Sequence, residues 1–563
     1  MQFTALVSND TSGVTWSVNS VAGGNSTVGT IDANGNFTAP AVTQNATATI
    51  TATSKKDTTK SGTATATVIA PGVVAATANA QVASYTITVP DGLNVLVQFG
   101  PDTNYGLVTS APLAPSGGGS VTILVAGMRA NTAYHMRAVF QSNSQTVFND
   151  ADHTFTTTSY PVANLPLIAA AAAAGMTPQS GVELLDLGVT GTKIALAVTD
   201  LTGNLLWAYV PGASVPTTDG PNPIKLLPNG HFLINFSNVL ADGKDSVLQE
   251  IDLAGTVVWQ MTTADLNAKL AQATCAGCNI TVVGTHHDFA LLPNGHIILL
   301  ASRNVPETGL IGQPSPITVS GDVAIDLDQN RNPVWVWDSF DPSNQDPNHL
   351  DLNRHPLLFP DWLHSNAIVY SPSDHNLIIS MRHQNWIIKV DYNDGQDTGK
   401  ILWRLGYHGD FTLVNGTDPE DWFADQHDVN VITDNSSGVF QITLFDNGNQ
   451  HKVDSSGTLC GGAIPCSSRV PIFQLDETAK TATIVWVDDL APVFSFFAGN
   501  SRLLANGNVE FCEASQPTFM SPNSAIFEVT KTTPPQMVWQ MQISGQNTYR
   551  GFRIPSLYPG VQW

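Results

Sequence analysis

Residues 361–383, DWLHSNAIVYSPSDHNLIISMRH, set a histidine, an amide and a guanidinium at the two ends of one hairpin-sized stretch. His364 and Asn366 lead into the apolar run Ala367-Ile368-Val369-Tyr370. After a turn, Leu377-Ile378-Ile379-Ser380-Met381 returns the chain to Arg382 and His383. Two strands joined by a tight turn bring a chain back to its origin, so these polar groups are expected at one rim. The histidine recurs. Counted back from the first apolar residue of the equivalent strand in successive stretches, His287, His364 and His427 hold the same place, and Asn222 and Gly499 hold it in two others. One buried histidine in a β protein is usually structural, whereas three at equivalent places converge and imply a site. His286, Asp288, Asn366, Arg382, His383 and Asp428 flank it, and Tyr549 and Arg550 are expected to reach the same mouth from a closing strand.

Two chemistries suit such a set. Three imidazoles can hold zinc or copper. Alternatively, histidines act as nucleophile and general acid around an anion held by Arg382 and Asn366. A guanidinium is electrostatically unhelpful beside a metal and well suited to an oxyanion, so the second chemistry is expected, with no metal and no cofactor.

The elements that must position these residues repeat from about residue 179. Six tryptophans each follow two residues that are mostly apolar, at Trp207, Trp259, Trp335, Trp403, Trp486 and Trp539. Between them lie apolar runs ending in turns, such as Leu226-Leu227-Pro228-Asn229-Gly230, Leu291-Leu292-Pro293-Asn294-Gly295, Val431-Ile432-Thr433-Asp434-Asn435 and Leu503-Leu504-Ala505-Asn506-Gly507. Asn-Gly after apolar residues is a hairpin signal. A repeat of roughly 65 residues exceeds that of the common propellers and leaves room for long rim loops. Six such units predict a six-bladed β-propeller over 179–563, with residues 549–557 closing the ring against the blade of Trp207. The competing architecture, an array of β-sandwiches, would not space its turns so regularly. Residues 1–71 and 72–158 read as two small β-sandwiches. Residues 159–178 read as a linker whose alanine run suits a short helix.

The chain is rich in β-formers and poor in charge, and its fold class is all-β. A formal net charge of −23 excludes a nucleic-acid partner, since basic patches are missing. No stretch is apolar for the length of a membrane span. Residues 1–8 read as a strand rather than an export leader, as in a mature or trimmed chain. Of the five cysteines, Cys275/Cys278 and Cys460/Cys466 suit two loop disulfides and Cys512 a buried thiol, in an oxidising compartment. Cys275 and Cys278 lack the second pair that a zinc site would want.

The motifs GTHHDFALLPNG, DWLHSNAIVYSPSDHNLIISMRHQNWIIKVD, GKILWRLG, QHDVN and YRGFRIPSLYP, with the loop Asp418-Pro419-Glu420-Asp421-Trp422, resemble the bacterial arylsulfate sulfotransferase family over most of residues 180–563. That resemblance implies a six-bladed propeller enzyme, independent of PAPS, that moves a sulfuryl group from a phenolic sulfate ester to a phenol through a sulfohistidine. By it, His427 is the nucleophile, and His364, Asn366, Arg382 and His287 bind the sulfuryl oxygens or shuttle the phenol proton, with His286 an alternative to His287. Rim aromatics Trp362, Tyr407, Trp422 and Phe423 are expected either to stack on the phenol or to pack their loops. VTWSVN…GTIDANGNFTAP…ATITATS resembles the bacterial immunoglobulin-like domain, and residues 128–138 resemble a fibronectin type III strand. These two imply an exported protein, periplasmic, extracellular or at the cell surface. The competing function is a non-enzymatic surface protein whose propeller binds an anionic ligand and whose N-terminal modules attach or self-associate.

Overall fold

A computed structural model describes the chain apart from residues 112–115, 163–164, 189–193, 239–243, 345–349, 354–360, 434–436, 489–493 and 516–521. The expected turn residues Asp434 and Asn435 lie outside the described residues. The chain divides into two compact units, Met1–Ser159 and Tyr160–Trp563.

Among the described residues the larger unit carries six open sheets, antiparallel but for one short added strand, and the helix Thr263–Leu270. In chain order, the second sheet is Gly220–Leu226, Phe232–Ser237, Val247–Ile251 and Val257–Thr262. The third is Gly284–Leu291, Ile297–Glu307, Ile317–Leu327 and Pro333–Asp338. The fourth is Ser365–Ser371, Asn376–Met381, Trp386–Val390 and Ile401–Leu405. The fifth runs His427–Thr433, Val439–Phe445, Pro471–Asp476 and Thr481–Val487, with Thr412–Leu413 added in parallel. The sixth runs Asn500–Leu503, Val509–Glu513, Asn523–Val529 and Met537–Ser544. The first sheet joins the chain ends: Thr548–Ile554 pairs with Val182–Leu187, which continues into Leu196–Thr199 and Leu205–Tyr209. The leading strands of the second to fifth sheets pack side by side in sequence, and apolar residues fill the spaces between neighbouring sheets.

All six repeat tryptophans lie on the fourth strand of a sheet, and in every sheet the pairing of third and fourth strands shifts register once. Such a bulge bends the strand and turns one side chain inward. The indole N–H then reaches the next sheet. Trp207 donates to Leu253 O at 2.7 Å, Trp335 to Asp397 O at 3.3 Å, Trp486 to Thr532 O at 2.9 Å and Trp539 to Leu201 O at 2.8 Å. Each bond satisfies a buried donor and staples one sheet to its neighbour. The Asn-Gly turns form as read: Gly230, Gly295 and Gly507 take φ of 84°, 82° and 87°, a left-handed conformation that glycine adopts without strain.

The alanine run is neither linker nor helix. Leu167–Ala172 is a strand on the outer edge of the sixth sheet, paired from Leu167↔Ser544 to Ala172↔Trp539. Alanine's helix propensity is a weak preference, overridden here by an open sheet edge. Of the rim aromatics, Trp362, Trp422 and Phe423 are buried in the apolar cores between sheets and pack rather than line a mouth. Tyr407 is stacked on His408 at 3.8 Å and packs against the same core.

The smaller unit contains sheets of its own. Strands Val14–Val18, Ala46–Ser54 and Ser61–Val68 share a core with Gly29–Ile31 and Phe37–Thr38, built on Val18, Ile31, Phe37 and Ile50. Asn94–Gly100 and Ala133–Ser142 form a second region with the sheet of Ala83–Val89, whose Tyr85 donates to Asp150 at 2.6 Å. The cysteines pair as Cys275–Cys278 and Cys460–Cys466, and Cys512 is a buried thiol.

Trp539 has no solvent exposure and links the sixth sheet to the first. Trp539→Ala is expected to lower unfolding stability by about 3–5 kcal/mol through cavity and bond loss. Urea denaturation followed by circular dichroism checks this.

Candidate active site

The histidines are aimed by irregular backbone at the start of the leading strands. Pairing shifts between Thr285 and Phe289, between Ser365 and Ala367, and between His427 and Asn430. His287, His364 and Asp428 have φ of 54°, 53° and 56°. Non-glycine residues enter this region at a cost, and such residues concentrate where side chains must be re-aimed. The hairpin of the fourth sheet forms as the sequence suggests, paired from Ser365↔Met381 to Ser371↔Asn376. Arg382 N–H donates to His364 O at 3.2 Å, so Arg382 and His383 return beside His364.

The rings assemble as a chain. His287 lies 4.5 Å from His364 and 5.0 Å from His286, and His364 stacks on His383 at 4.7 Å. Tyr549 joins the group, 6.1 Å from His287 and 6.4 Å from His427. Its hydroxyl is buried without a hydrogen-bond partner, and burial raises its pKa. His286 Nδ1 contacts His287 Nδ1 at 2.9 Å, and its Nε2 lies 3.2 Å from Asp322. Of that pair, His287 is the ring in contact with His364 and Tyr549.

Each histidine has a distinct second contact. His364 Nδ1 meets Asp361 Oδ2 at 2.5 Å, which fixes the ring and leaves Nε2 as its other nitrogen. Burial pushes Asp361 upward, but His364 and the bond between them more than offset it, so the carboxyl sits below its usual range. His383 Nε2 contacts Arg382 Nη1 at 2.9 Å, and its Nδ1 contacts Asp361 O at 2.9 Å. The guanidinium can only donate, so His383 Nε2 accepts and the ring is neutral. Burial, with His364 beside it, lowers His383 to about 4. His427 Nδ1 meets Asn447 Oδ1 at 2.7 Å, and Ala498 N–H donates to its Nε2 at 3.2 Å. Burial first, then the field of Arg382, holds His427 well below the usual imidazole range; burial and His364 do the same to His287.

Arg382 supplies the nearby cation. Its Nε is enclosed without a hydrogen bond, 3.5 Å from Asp425, and its guanidinium carbon sits 5.8 Å from the ring centre of Phe496. Asn366 is fully buried; its Nδ2 donates to Gln426 O at 2.7 Å, and its Oδ1 has no hydrogen-bond partner. Gln426 in turn donates to Ser380, Met381 and Trp386, which ties the residue before His427 to the fourth sheet.

Arg550 does not open onto the mouth. It is fully buried, with Nη1 3.3 Å from Asp288 and 3.2 Å from Asp428 and Nη2 donating to Asn366 O at 2.5 Å. Sequence placed it near the site; its bonds place it beneath, holding the strands.

Asp361, Asn447 and Ala498 were not singled out by the sequence. Asp361 lies three residues before His364 and was within reach of a spacing argument. Asn447 sits in FDNGNQ, which reads as a turn, and Ala498 follows Phe494-Ser495-Phe496-Phe497, which reads as a loop. Nothing in those segments marks a contact to His427.

Among the described residues, one group has metal-ligand spacing, Asp361, His364 and His383. Those atoms already satisfy one another and Arg382, and a cation held by them would lie against a guanidinium. The arrangement is better suited to an anion with negative oxygens and to proton transfer.

A family model described as Arylsulfotransferase (ASST) matches residues 170–553. The chain belongs to the arylsulfotransferase family. Membership indicates a transferase acting between an aryl sulfate donor and a phenol acceptor. No curated protein matches the chain. Among solved structures it is similar to a putative 6-phosphogluconolactonase from Bacteroides uniformis, at 10% identity and TM-score 0.32, covering 82% of this chain and 100% of that one. It is also similar to the dihydro-heme d1 dehydrogenase NirN, at 9% identity and TM-score 0.28, covering 68% and 80%. Neither likeness bears on function. Among the described residues no helix is long and apolar enough to cross a membrane.

Arg550→Met leaves Asp288 and Asp428 without this partner, and is expected to cost about 3–5 kcal/mol in denaturant unfolding. His383 provides a pH test. Its folded pKa is lowered to about 4 against roughly 6.5 unfolded, so the unfolded chain binds the proton first and stability falls as pH drops through that window. The stability of wild type relative to His383→Asn should therefore fall by a few kcal/mol between about pH 6.5 and 4, measured by denaturant unfolding at stepped pH.

Proposed function

We propose that the protein is a PAPS-independent aryl sulfotransferase. It moves a sulfuryl group from a phenolic sulfate ester to a phenol by a ping-pong reaction through sulfo-His427. In this reading the six sheets are the six blades of a propeller, and the histidines gather at one mouth of its central channel. The observation that carries the reading is His427 itself: a buried imidazole whose Nε2 accepts a hydrogen bond and so bears no proton, lying in the field of Arg382.

A neutral imidazole needs no deprotonation before it attacks. Once the Ala498 N–H gives up the Nε2 lone pair, that pair forms the N–S bond as the S–O bond to the aryl group breaks, and the electron pair leaves on the phenolate oxygen. His364, starting as an imidazolium paired with Asp361, gives its Nε2 proton to that oxygen and later takes one back from the acceptor phenol. Sulfuryl transfer, like phosphoryl transfer, passes through a loose transition state with charge spread over peripheral oxygens. Arg382 meets that charge, and His287 and Tyr549 offer further polar atoms to it. Asn366 contributes by fixing the backbone before His427.

The two disulfides suit an exported protein in an oxidising compartment. We read residues 1–159 as immunoglobulin-like and fibronectin-like modules that attach the enzyme or mediate its self-association.

With 4-nitrophenyl sulfate and phenol, the protein should release nitrophenolate in a phenol-dependent manner. His427→Ala should lose at least ~10³-fold in rate with its fold retained, and Arg382→Ala on the order of 10²-fold. Release by His427→Ala at the wild-type rate would refute the assignment.

A further inference from the structure

We propose that Asn447 is a positioning residue that fixes the tautomer of His427 and, because it is an amide and not a carboxylate, keeps the sulfohistidine a reactive donor. The proposal rests on the reading of His427 as nucleophile.

Asn447 has no solvent exposure, and its amide is fully committed. Nδ2 donates to Ser495 O at 2.8 Å and to Ala498 O at 3.0 Å. With both protons spent on carbonyls, the atom facing His427 at 2.7 Å is the acceptor Oδ1, so the imidazole must carry its proton on Nδ1. The other edge of the ring gives the same answer independently. Ala498 N–H can only donate, and it meets Nε2 at 3.2 Å, so Nε2 is the unprotonated nitrogen. One side chain thus grips both ends of the ring: directly at Nδ1, and at Nε2 through the loop whose carbonyls it binds. That loop is further held by Ser468, whose hydroxyl donates to Asn447 O at 2.9 Å and accepts from Ser495 N–H at 2.9 Å. Ala498 itself has φ of 58°, a left-handed conformation that an alanine keeps only when its surroundings impose it.

The consequence lies in the second half-reaction. When Nε2 has formed its bond to sulfur, the ring is an N-sulfo imidazolium that still holds Nδ1–H against Asn447 Oδ1. Attack by the acceptor phenol oxygen then forms the new S–O bond. The N–S pair returns to Nε2 and a neutral imidazole departs, while the phenol proton goes to His364. A carboxylate at 447 would draw the Nδ1 proton to itself. The departing group would then be an imidazolate, a much stronger base and a poorer leaving group. An amide orients the ring without stabilising the intermediate in that way. The Ala498 N–H, freed from the lone pair once sulfur is bound, is left beside the sulfuryl oxygens as a donor.

The isosteric variant Asn447→Asp, which also gives up the Nδ2 bonds to Ser495 O and Ala498 O, separates the two half-reactions. With 4-nitrophenyl sulfate it should still release a burst of about one nitrophenolate per chain. Its phenol-dependent steady-state kcat should fall at least ~10-fold. Intact-mass measurement during turnover should then show the variant carrying one sulfuryl group while wild type does not accumulate it. Wild-type kcat without accumulation would overturn the proposal. A tautomer measurement on the wild-type protein needs no variant fold beyond an assignment control. The 15N shifts of His427, identified by their loss in His427→Gln, should show a protonated Nδ1 and an unprotonated Nε2, and the reverse pattern would overturn the proposal. Failure of the underlying reading looks different. If rapid-quench peptide mapping of wild type finds no sulfuryl group on His427, the nucleophile assignment and the lability argument fall together, whatever tautomer the spectrum shows.

Discussion

Arg550 is a guanidinium with no exposure to solvent, and a buried charge is tolerable only where it is paired and hydrogen-bonded. Its partners are neighbours in sequence of the catalytic candidates. Asp288 follows His287, Asp428 follows His427, and the Asn366 carbonyl lies two residues beyond His364. One cation therefore sets the mutual spacing of three leading strands, each carrying one imidazole. The aspartates are satisfied in turn: Lys225 lies 2.9 Å from Asp288, and Arg502 donates to Asp428 at 3.1 Å. Arg550 comes from the strand that closes the first sheet with the chain's end, so the site is complete only when that strand is in place.

The same cations govern the chemistry above them. Buried histidines beside Arg382 pay a desolvation cost when charged and feel a like charge as well, so protonation is disfavoured twice. A nucleophile must be neutral to attack, and a guanidinium must stay charged to hold an oxyanion. One low-dielectric pocket meets both needs because burial disfavours the imidazolium, while a guanidinium is too basic to give up its proton. Asp361 makes His364 different from His287 and His427: its carboxylate bonds that ring directly and suits it to move a proton.

The repeat and the rim were legible because tryptophan, Asn-Gly and histidine recur at regular distances, and periodicity survives without coordinates. The hairpin bringing Arg382 back to His364 could be read because two apolar runs, of four and five residues, flank a turn. The alanine strand could not. Whether Leu167–Ala172 becomes helix or sheet depends on an open edge formed by residues more than 350 positions away. Arg550 was read as a mouth residue from its proximity to Tyr549, but adjacent strand residues point to opposite faces, and only the aspartates behind the site reveal its direction. Asn447 and Ala498 stayed hidden for a related reason. Asn447 lies two residues past Phe445, the cross-strand partner of His427 in the fifth sheet, and Ala498 reaches His427 from the loop before the sixth sheet; no local pattern in a turn or a loop encodes either partner.

Charge on the whole molecule runs against its reading as an enzyme for anions. With a formal net charge of −23, the protein repels a sulfate ester at long range. Recognition must then come from a short-range field, and Arg382 supplies one: its ion pair with Asp425 is at 3.5 Å, whereas Arg550 is neutralised by Asp288 and Asp428. Salt at physiological strength screens beyond roughly 8 Å, so the distant negative charge is muted while the buried arginines are not. An acidic molecule and a local cation beside the histidines are therefore compatible.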